Sequence, residues 1–385
     1  MESVQQFLRG VALITGLVFA THAFPISIFS GDPKYGTPES ISPAPAGFGA
    51  LGGNYFIPDA GAGLGQIWYV PATGGAPNPF LSVPLTDQPR GGLFLPSGWG
   101  ADSGNFLAVS QLVRVFDSAG NITSTFVTKD PDAPLNLITA TGNFSTPLIA
   151  PAGFGTLVGG DLFVSDQNNK IWKAGLGSSE LKLFKYFQAD GDPFDSTAPF
   201  GLAFTPSTFG SFGDRLLVSG STDNITVKDD RFSPIIAVAA DGTSSLFASV
   251  PLKNNADGSP GQYGLRQMVM TPADYFLPTL GIPGEVLLVS VAGSSQGGGV
   301  LGDVFAYDGL GRLVGKLRDD LDLIKFDPRG LYFTDDGNLL ISDTSDPILL
   351  ARASDFGAAD VPEPASLALL AVGLAGLRLK RRKQA

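Results

Sequence analysis

The stretch that decides the fold is Pro328–Asp343, which reads PRGLYFTDDGNLLISD. Apolar residues alternate in its first half and again in its second half, and Asp336-Gly337 stands between the two halves. An Asp-Gly pair between two such runs is a strong signal for a β-hairpin. The stretch therefore predicts two short antiparallel strands joined by a tight turn.

The second of these strands recurs along the chain as an apolar run that ends in Ser or Asp. The runs start about 51 to 56 residues apart, except for one interval of about 70 residues. They are Asn54–Asp59, Asn105–Ser110, Asp161–Asp166, Arg215–Ser219, Glu285–Ser290 and Asn338–Asp343. An apolar inner strand precedes the clearest copies, and two further short strands follow, separated by polar turns. Six units of four strands at this period predict an all-β fold, a six-bladed β-propeller with four-stranded blades.

The sixth unit ends after its third strand, at Ala351. We predict that Pro25–Phe29 supplies the missing outer strand, so that the two ends of the chain pair and leave no open sheet edge. The alternative is a chain of two β-sandwiches, which also have strands every 8–12 residues. Two sandwiches would not repeat one pattern six times at near-constant spacing.

The pattern in Pro328–Asp343 also resembles a known repeat. Pro-x-Gly-apolar-x-apolar, followed by Gly-Asn, three apolar residues and Ser-Asp, is similar to the NHL repeat. More broadly, the body resembles six-bladed propellers of the SMP-30/gluconolactonase kind. The resemblance implies the fold and leaves the function open, because one fold hosts many functions.

The composition agrees with short strands and excludes several kinds of site. The chain has 50 Gly, 29 Pro and only 16% charged residues. It has no Cys, and its one His is His22, so disulfides and Cys-based zinc sites are excluded. Setting aside six basic and two acidic side chains in residues 1–23 and 361–385 leaves 19 basic and 34 acidic ones, a net charge of −15. Such a body should repel nucleic acid.

Residues 1–23 have the pattern of a secretory signal peptide. Arg9 closes a short first region, and Gly10–Ala20 is an apolar run too short for a hydrocarbon core of about 30 Å. Small residues near Ala20 and Ala23 offer cleavage sites. We therefore predict that the protein is exported, and cleavage after Ala23 would also remove its only His.

The last 25 residues carry a second targeting pattern. Pro362, Glu363 and Pro364 precede the apolar run Ala365–Leu377, and the basic cluster Arg378–Lys383 follows. The three parts in this order resemble the PEP-CTERM sorting signal of exported bacterial proteins. The resemblance implies recognition of the Pro-Glu-Pro motif by a membrane sorting enzyme, exosortase, and a place in the cell envelope or an extracellular polysaccharide matrix such as a biofilm. A plain C-terminal membrane anchor is the alternative.

These boundaries divide the chain into four parts. We predict a signal peptide over 1–23, the propeller over 24–357, a linker with the Pro-Glu-Pro motif over 358–364, and a hydrophobic helix with a basic tail over 365–385. That helix would hold the protein in the membrane before sorting, with its basic residues on the cytoplasmic side.

One position of the aligned inner strands carries the strongest candidate for a ligand site. It holds an arginine in three units, and these are Arg90, Arg266 and Arg329. Three guanidinium groups converging on the mouth of the central channel could bind a carboxylated or phosphorylated ligand such as an anionic polysaccharide. The alternative is that each arginine pairs with a loop aspartate, such as Asp87, Asp327 or Asp343, and holds the blades together.

Aspartates that end the second strand on the same face offer a different chemistry. Asp59, Asp166 and Asp343 provide oxygen ligands for calcium, with solvated turns as the alternative. The possible calcium ligands and the SMP-30 resemblance together suggest a calcium-dependent hydrolase or lactonase as the competing function. Such an enzyme holds its metal with a Glu, an Asn and an Asp, and only Glu39 lies near the start of an inner strand. No catalytic constellation emerges, so we favour a non-catalytic binding or scaffold protein over an enzyme.

Overall fold

The repeated pattern folds into six sheets, each built on four antiparallel strands. The computed structural model describes residues 26–30, 35–61, 65–81, 85–129, 137–152, 154, 159–187, 197–222, 232–253, 262, 264–293, 300–317, 326–344 and 348–358. The predicted all-β, six-bladed propeller is thereby confirmed, and each blade has roughly four strands.

The strands are short and follow one another through tight turns. The first fifteen are β1 (Ser27–Ser30), β2 (Ser42–Pro43), β3 (Tyr55–Asp59), β4 (Gln66–Val70), β5 (Asn78–Pro79), β6 (Gly91–Phe94), β7 (Phe106–Val109), β8 (Val113–Phe116), β9 (Ile122–Thr125), β10 (Val127–Lys129), β11 (Leu137–Thr139), β12 (Phe144–Ile149), β13 (Leu162–Asp166), β14 (Lys170–Ala174) and β15 (Glu180–Tyr186). The others are β16 (Thr197–Phe204), β17 (Leu216–Thr222), β18 (Phe232–Val238), β19 (Ser244–Pro251), β20 (Gly264–Met270), β21 (Leu287–Ala292), β22 (Asp303–Tyr307), β23 (Leu313–Leu317), β24 (Pro328–Phe333), β25 (Leu339–Asp343), β26 (Ile348–Ala351) and β27 (Phe356–Ala358).

Blades 1 to 5 take their strands in sequence order from the channel outwards, and the outer strand of blade 6 comes from the start of the chain. Blades 1 to 5 are built on β2–β5, β6–β9, β12–β15, β16–β19 and β20–β23, and blade 6 on β24, β25, β26 and β1. In the described residues, helical structure is confined to single turns between strands. These are the α-helix α1 (Leu277–Leu280) and the 3-10 turns Gly49–Leu51, Gly100–Asp102, Gly210–Phe212 and Ala353–Asp355.

The core lies between the blades and not within any one of them. Six apolar clusters of the described residues each join two neighbouring blades, including the last blade and the first. The cluster between blades 6 and 1 contains Ile41 and Ile57 from one blade and Leu340 and Ile348 from the other. The second strand of each blade is buried on both faces, which explains its nearly continuous apolar sequence.

The aromatic residues that recur after the first strand of a blade are packing residues. Phe48, Trp99, Phe154 and Phe209 occupy equivalent loops, and each is at most 5% exposed. Phe48 lies 5.4 Å from the ring of Phe56 and 4.9 Å from that of Phe94, so it packs against both blade 1 and blade 2. These loops therefore help to set the distance between neighbouring blades.

The predicted closure of the ring by the start of the chain is confirmed. Strand β1 pairs antiparallel with β26, with Ser27 opposite Leu350 and Ile28 opposite Leu349. The strand begins two residues later than the predicted segment. Blade 6 therefore combines the first and last blade strands of the chain, and the closure protects the outer edge of β26.

Three of the observed strands were not predicted. Strands β10 and β11, from the connection between blades 2 and 3, extend blade 3, and β10 pairs parallel to β15. Strand β27 pairs with β23 and adds a fifth strand to blade 5. These segments lie outside the repeated unit, so the repeat period carries no signal for them.

The predicted signal peptide, the Pro-Glu-Pro motif and the C-terminal hydrophobic helix lie outside the described residues. Within the described part of the chain, no helix has the length and apolar character that a membrane crossing requires.

Candidate functional site

Two of the three candidate arginines, Arg266 and Arg329, lie at irregular points of their inner strands, whereas Arg90 precedes an inner strand that pairs in regular register. In blades 3 to 6, the pairing of the first strand with the second is interrupted, and two consecutive residues of the first strand lie outside the regular register. The first residues of these irregularities are Ser145, Phe200, Arg266 and Arg329. A bulge changes the direction of the side chains around it, and such irregularities are frequent next to functional sites.

In blades 3 to 5, a serine of the second strand forms hydrogen bonds with the irregular segment and with the backbone of the next blade. The hydroxyl of Ser219 accepts from the backbone N–H of Gly201 at 2.7 Å and donates to the carbonyl of Arg266 at 2.7 Å. Ser290 donates in the same way to the carbonyl of Arg329 at 2.7 Å. A side chain at Gly201 would clash with the Arg266 carbonyl, which explains the glycine there. The backbone of the channel residues is therefore held from the neighbouring blade.

Arg329 forms the ion pairs that are expected of a residue that links two blades. Its Nη2 donates to Asp327 at 2.8 Å, and its Nη1 lies 3.9 Å from the carboxylate of Glu39 in blade 1. Its side chain is 14% exposed. Arg329 therefore links blade 6 to blade 1 across the closure of the ring.

Arg266 is held differently. Its guanidinium lies over the ring of Phe200, 4.3 Å from the centroid, which is a cation–π contact. Its Nε is buried without a hydrogen-bond partner, and no carboxylate of the described residues forms an ion pair with it. Burial lowers the pKa of Arg266 to about 9, and the charges of Arg329 and Arg90 also lower it, whereas Glu39 and Asp327 raise it. Arg266 is therefore a cation at neutral pH that lacks a close counter-charge in the described part of the chain.

Arg90 completes the group. Its Nη1 donates to the side-chain carbonyl of Asn143 at 2.8 Å, and it lines the same small cavity as Arg266, Glu39 and Phe200. Arg90 and Arg266 therefore line one cavity, and Arg329 is close enough to Arg266 for its charge to lower the pKa of Arg266. Whether they bind a ligand stays a prediction.

The alternative prediction is that each of these three arginines pairs with a loop aspartate. In the described part of the chain, only Arg329 does so. Asp327 pairs with Arg329, as that alternative supposed. Asp87 instead pairs with Arg114 at 2.9 Å and also accepts from the hydroxyl of Ser110. Among the described residues, neither Arg90 nor Arg266 has a carboxylate partner.

Asp59 and Asp166 have the same structural role in two blades. Asp59 accepts from the backbone N–H of Gly36, Thr37 and Gly61 and from the indole of Trp68 at 3.0 Å. Asp59 thus holds a loop and a tryptophan of the third strand in place, and Asp166 does the same in blade 3.

Asp166 accepts from the N–H of Asn143 and of Asn168 and from the indole of Trp172, each at 3.0 Å. In blade 6, Asp343 accepts from the backbone N–H of Asp327 at 3.2 Å. No three acidic residues in the described part of the chain are close enough to hold a metal ion together. Calcium binding at these aspartates stays a prediction, and each carboxylate already accepts hydrogen bonds from protein N–H groups.

Two further residues belong to the channel group, and sequence reasoning assigned neither of them to the arginine position. Glu39 occupies the arginine position in blade 1, but the inner strand β2 has only two residues and lacks the glycine that marks this position in blades 2, 4 and 6. Gln267 follows Arg266 and accepts from the backbone N–H of Leu331 at 3.2 Å, which joins blades 5 and 6. The sequence placed Glu39 only near the start of an inner strand, and a register comparison of all six inner strands would have aligned it with the arginines.

The comparisons with known proteins bear on the end of the chain and on the fold. Residues 360–383 match the PEP-CTERM protein-sorting motif. No curated protein sequence matches the chain. Among solved structures, the chain is similar to a putative oxidoreductase (glucose dehydrogenase) from Thermus thermophilus, with 14% identity, a TM-score of 0.49, and coverage of 84% of this chain and 98% of that chain.

Two further structures have comparable similarity. A gluconolactonase from Xanthomonas campestris is 14% identical, with a TM-score of 0.49 and coverage of 86% of this chain and 96% of that one. A streptogramin B lyase is 12% identical, with a TM-score of 0.42 and coverage of 86% and 97%. The strand pairing and the C-terminal match together identify the chain as a six-bladed β-propeller that ends in a PEP-CTERM protein-sorting motif.

Proposed function

We propose that this protein is an exported, surface-sorted propeller that binds an anionic ligand at its channel mouth and does not transform it. The single observation that carries the proposal is Arg266, a half-buried cation with no ion pair among the described residues. A buried cation without a counter-charge costs folding free energy. An anion supplied by a ligand would remove that cost.

The chemistry of the mouth favours binding over catalysis. A guanidinium stays protonated near neutral pH, so arginines serve as hydrogen-bond donors and not as bases. The two carboxylates near Arg266 belong to Glu39 and Asp327, and both lie close to Arg329. Fork-like donors of this kind match carboxylate and phosphate groups.

The ligand we propose is an anionic polysaccharide of an extracellular matrix. The anionic part of this proposal rests on the arginines, and the extracellular part rests on the sorting motif. The net charge of −15 of the body would oppose long-range attraction of a polyanion. Binding should therefore depend on short-range contacts at the mouth.

The test is the affinity of purified variants for an immobilised anionic polysaccharide. Arg90→Ala, Arg266→Ala and Arg329→Ala should each weaken retention by about tenfold or more, because hydrogen bonds from charged donors are lost. Arg312→Ala is the matched control, since Arg312 is 69% exposed and pairs with Asp308 on the outside of blade 5. If all three variants are retained like wild type, the proposed site is wrong.

A calcium-dependent hydrolase or lactonase is the competing function, and a chelator separates it from ligand binding. If calcium is required, EDTA should lower the melting temperature of the wild-type protein. Under the proposal, EDTA leaves both the melting temperature and the retention on polysaccharide unchanged.

We also propose that exosortase recognises Pro362, Glu363 and Pro364, and that the segment beyond them anchors the protein in the membrane until then. Replacing the three residues by alanine should leave the protein in the membrane fraction with its C-terminus intact. A wild-type distribution between cell fractions would contradict this part of the proposal.

A further inference from the structure

A polar cleft opens beside the channel mouth, between blades 2 and 3. It consists of two adjoining cavities of about 320 and about 690 Å³, which share Thr86, Asp87, Gln111 and Asn143 in their walls. Arg90 lines the smaller cavity and also the channel cavity that contains Arg266. The cleft therefore runs outwards from the proposed anion site, and its volume is in the range of ligand pockets.

The floor of the cleft is held rigidly by buried polar contacts. Asp87 is 6% exposed and accepts from Arg114 at 2.9 Å and from the hydroxyl of Ser110. Asn143 accepts from Arg90 at 2.8 Å and donates to Gln167 at 3.0 Å. Such a network fixes the positions of the groups around it before any ligand arrives.

The rim of the cleft offers free hydrogen-bonding groups. Five exposed side chains form no hydrogen bond with any other described residue, and these are Thr86, Gln88, Gln111, Thr141 and Asn168. Amides and hydroxyls of this kind both donate and accept. They match a ligand that presents many hydroxyl groups.

The lining argues against other kinds of ligand. Among the described residues that line the two cavities, Leu112 is the only large apolar one, and none is aromatic. Lipids and apolar peptides bind through apolar surface, and nucleic-acid bases bind through stacking on aromatic rings. A sugar with an acidic group satisfies both the neutral rim and the cationic inner end.

We propose that this cleft binds a uronic-acid sugar, with its carboxylate at Arg90 and its ring hydroxyls on Gln111, Asn168 and the neighbouring polar side chains. The inference rests on the proposed function, since it specifies which anionic polysaccharide the channel mouth receives. Glycoside hydrolysis commonly needs a pair of carboxyl groups. Asp87 is the only carboxylate among the described wall residues of the two cavities, and it is paired with Arg114. The described walls of the cleft therefore offer no carboxyl pair for glycoside hydrolysis.

The experiment compares three probes on full-length mature protein by calorimetry. Trigalacturonate carries both carboxylates and ring hydroxyls, its methyl ester keeps the hydroxyls without the charge, and triglutamate carries carboxylates without a sugar. We expect wild type to bind trigalacturonate at least tenfold more tightly than either of the other two. Equal affinity for trigalacturonate and triglutamate would overturn the proposal of a sugar site in the cleft, because the protein would then recognise charge alone.

Variants separate the cleft from the arginines. A Gln111→Ala, Asn168→Ala double variant should bind trigalacturonate about tenfold more weakly, through loss of neutral hydrogen bonds, and should bind triglutamate like wild type. Both side chains are exposed, so the melting temperature should not change. Arg266→Ala should weaken both acidic probes.

The outcomes distinguish the two proposals. If the double variant binds trigalacturonate like wild type while Arg266→Ala loses this binding, the proposed sugar site in the cleft is wrong and the proposed anion site at the arginines stands. If the double variant loses the binding of trigalacturonate while Arg266→Ala keeps it, the proposed anion site at the arginines is wrong and the proposed sugar site in the cleft stands. If wild type binds none of the probes, both proposals are overturned.

Discussion

The carboxylates that end the second strands show how one residue type serves several purposes in this protein. Asp166 is 2% exposed and accepts three N–H donors, one of them the indole of Trp172. Its loss would leave all three donors unsatisfied in a buried place. At this position a structural role and a calcium site make different predictions.

Asp166→Ala should lower the free energy of unfolding by about 3 kcal/mol, through the lost hydrogen bonds to a charged acceptor. The control is Asp335→Ala, since Asp335 is exposed and should change stability very little. Denaturant titration with calcium and with EDTA measures both variants. If the destabilisation appears only in the presence of calcium, the carboxylate acts through a metal and not through the loop.

Exposed turn aspartates give the stability a defined acid dependence. The pKa values of Asp117, Asp241 and Asp336 lie below the ordinary value, in each case chiefly because a neighbouring side chain donates a hydrogen bond to the carboxylate. A carboxyl group with a lowered folded-state pKa stabilises the protein above its unfolded pKa of about 3.9, and this contribution is lost as the pH falls through the folded value.

We therefore expect the free energy of unfolding to fall as the pH drops below about 4. Replacing Asp117, Asp241 and Asp336 together by asparagine should flatten this dependence, because asparagine keeps an acceptor in the turn but does not titrate. Denaturant titrations at about pH 5 and about pH 3, on either side of the unfolded pKa, make the comparison. An unchanged pH dependence in the triple variant would show that other carboxylates dominate acid unfolding.

At the scale of elements, the closing strand is the most consequential one. Strand β1 has three residue pairs with β26 and contributes Ser30, which is 1% exposed and donates to the carbonyl of Gly75 in blade 1 at 2.6 Å. It thus connects the last blade to the first. The pairing is a contact between residues more than 300 positions apart in the sequence.

A mature chain that begins at Tyr35 should be less stable than one that begins at Ile26 by about 3 kcal/mol, because several backbone hydrogen bonds of β26 lose their partners. The midpoint of denaturant unfolding measures the difference. A chain that begins at Phe24 is the control and should match the one from Ile26. Equal stability of the chains from Ile26 and Tyr35 would mean that the ring does not need this strand.

The blades could be predicted from the sequence because their signals are local. An apolar strand, a turn with Asp and Gly, and a fixed period each depend on residues near one another, as in Pro328–Asp343. Strands β10 and β27 are different, since they pair with segments about 40 or more residues away and, like β11, repeat nothing. The arginines could be aligned from the sequence, but the missing partner of Arg266 depends on three-dimensional packing.

At the scale of the whole molecule, the ring turns equivalent positions into a cluster. Arg90, Arg266 and Arg329 are far apart in sequence, and they meet because each stands at the same point of an inner strand. The ring also gives the three cations unequal surroundings. Arg329 has two carboxylates within 4 Å, whereas Arg266 has an aromatic ring and no ion pair among the described residues. The Nε atoms of both arginines are buried without a partner.

The surroundings of Arg266 allow a ligand-binding role of this arginine to be distinguished from a structural one. If Arg266 exists to receive an anion, the unliganded protein carries the cost of an unpaired cation, and an apolar residue of similar length should relieve it. If Arg266 holds the blades together, the same substitution should destabilise the protein. The two roles thus predict opposite signs of the change in stability.

The most direct test is the thermal unfolding of wild type and Arg266→Met, each with and without an anionic polysaccharide. We predict that Arg266→Met is more stable than wild type without ligand, by about 1–3 kcal/mol, and that the polysaccharide raises the melting temperature of wild type only. A variant that is less stable than wild type, or that gains the same stabilisation from the polysaccharide, would contradict the proposal that the channel mouth is an anion-binding site.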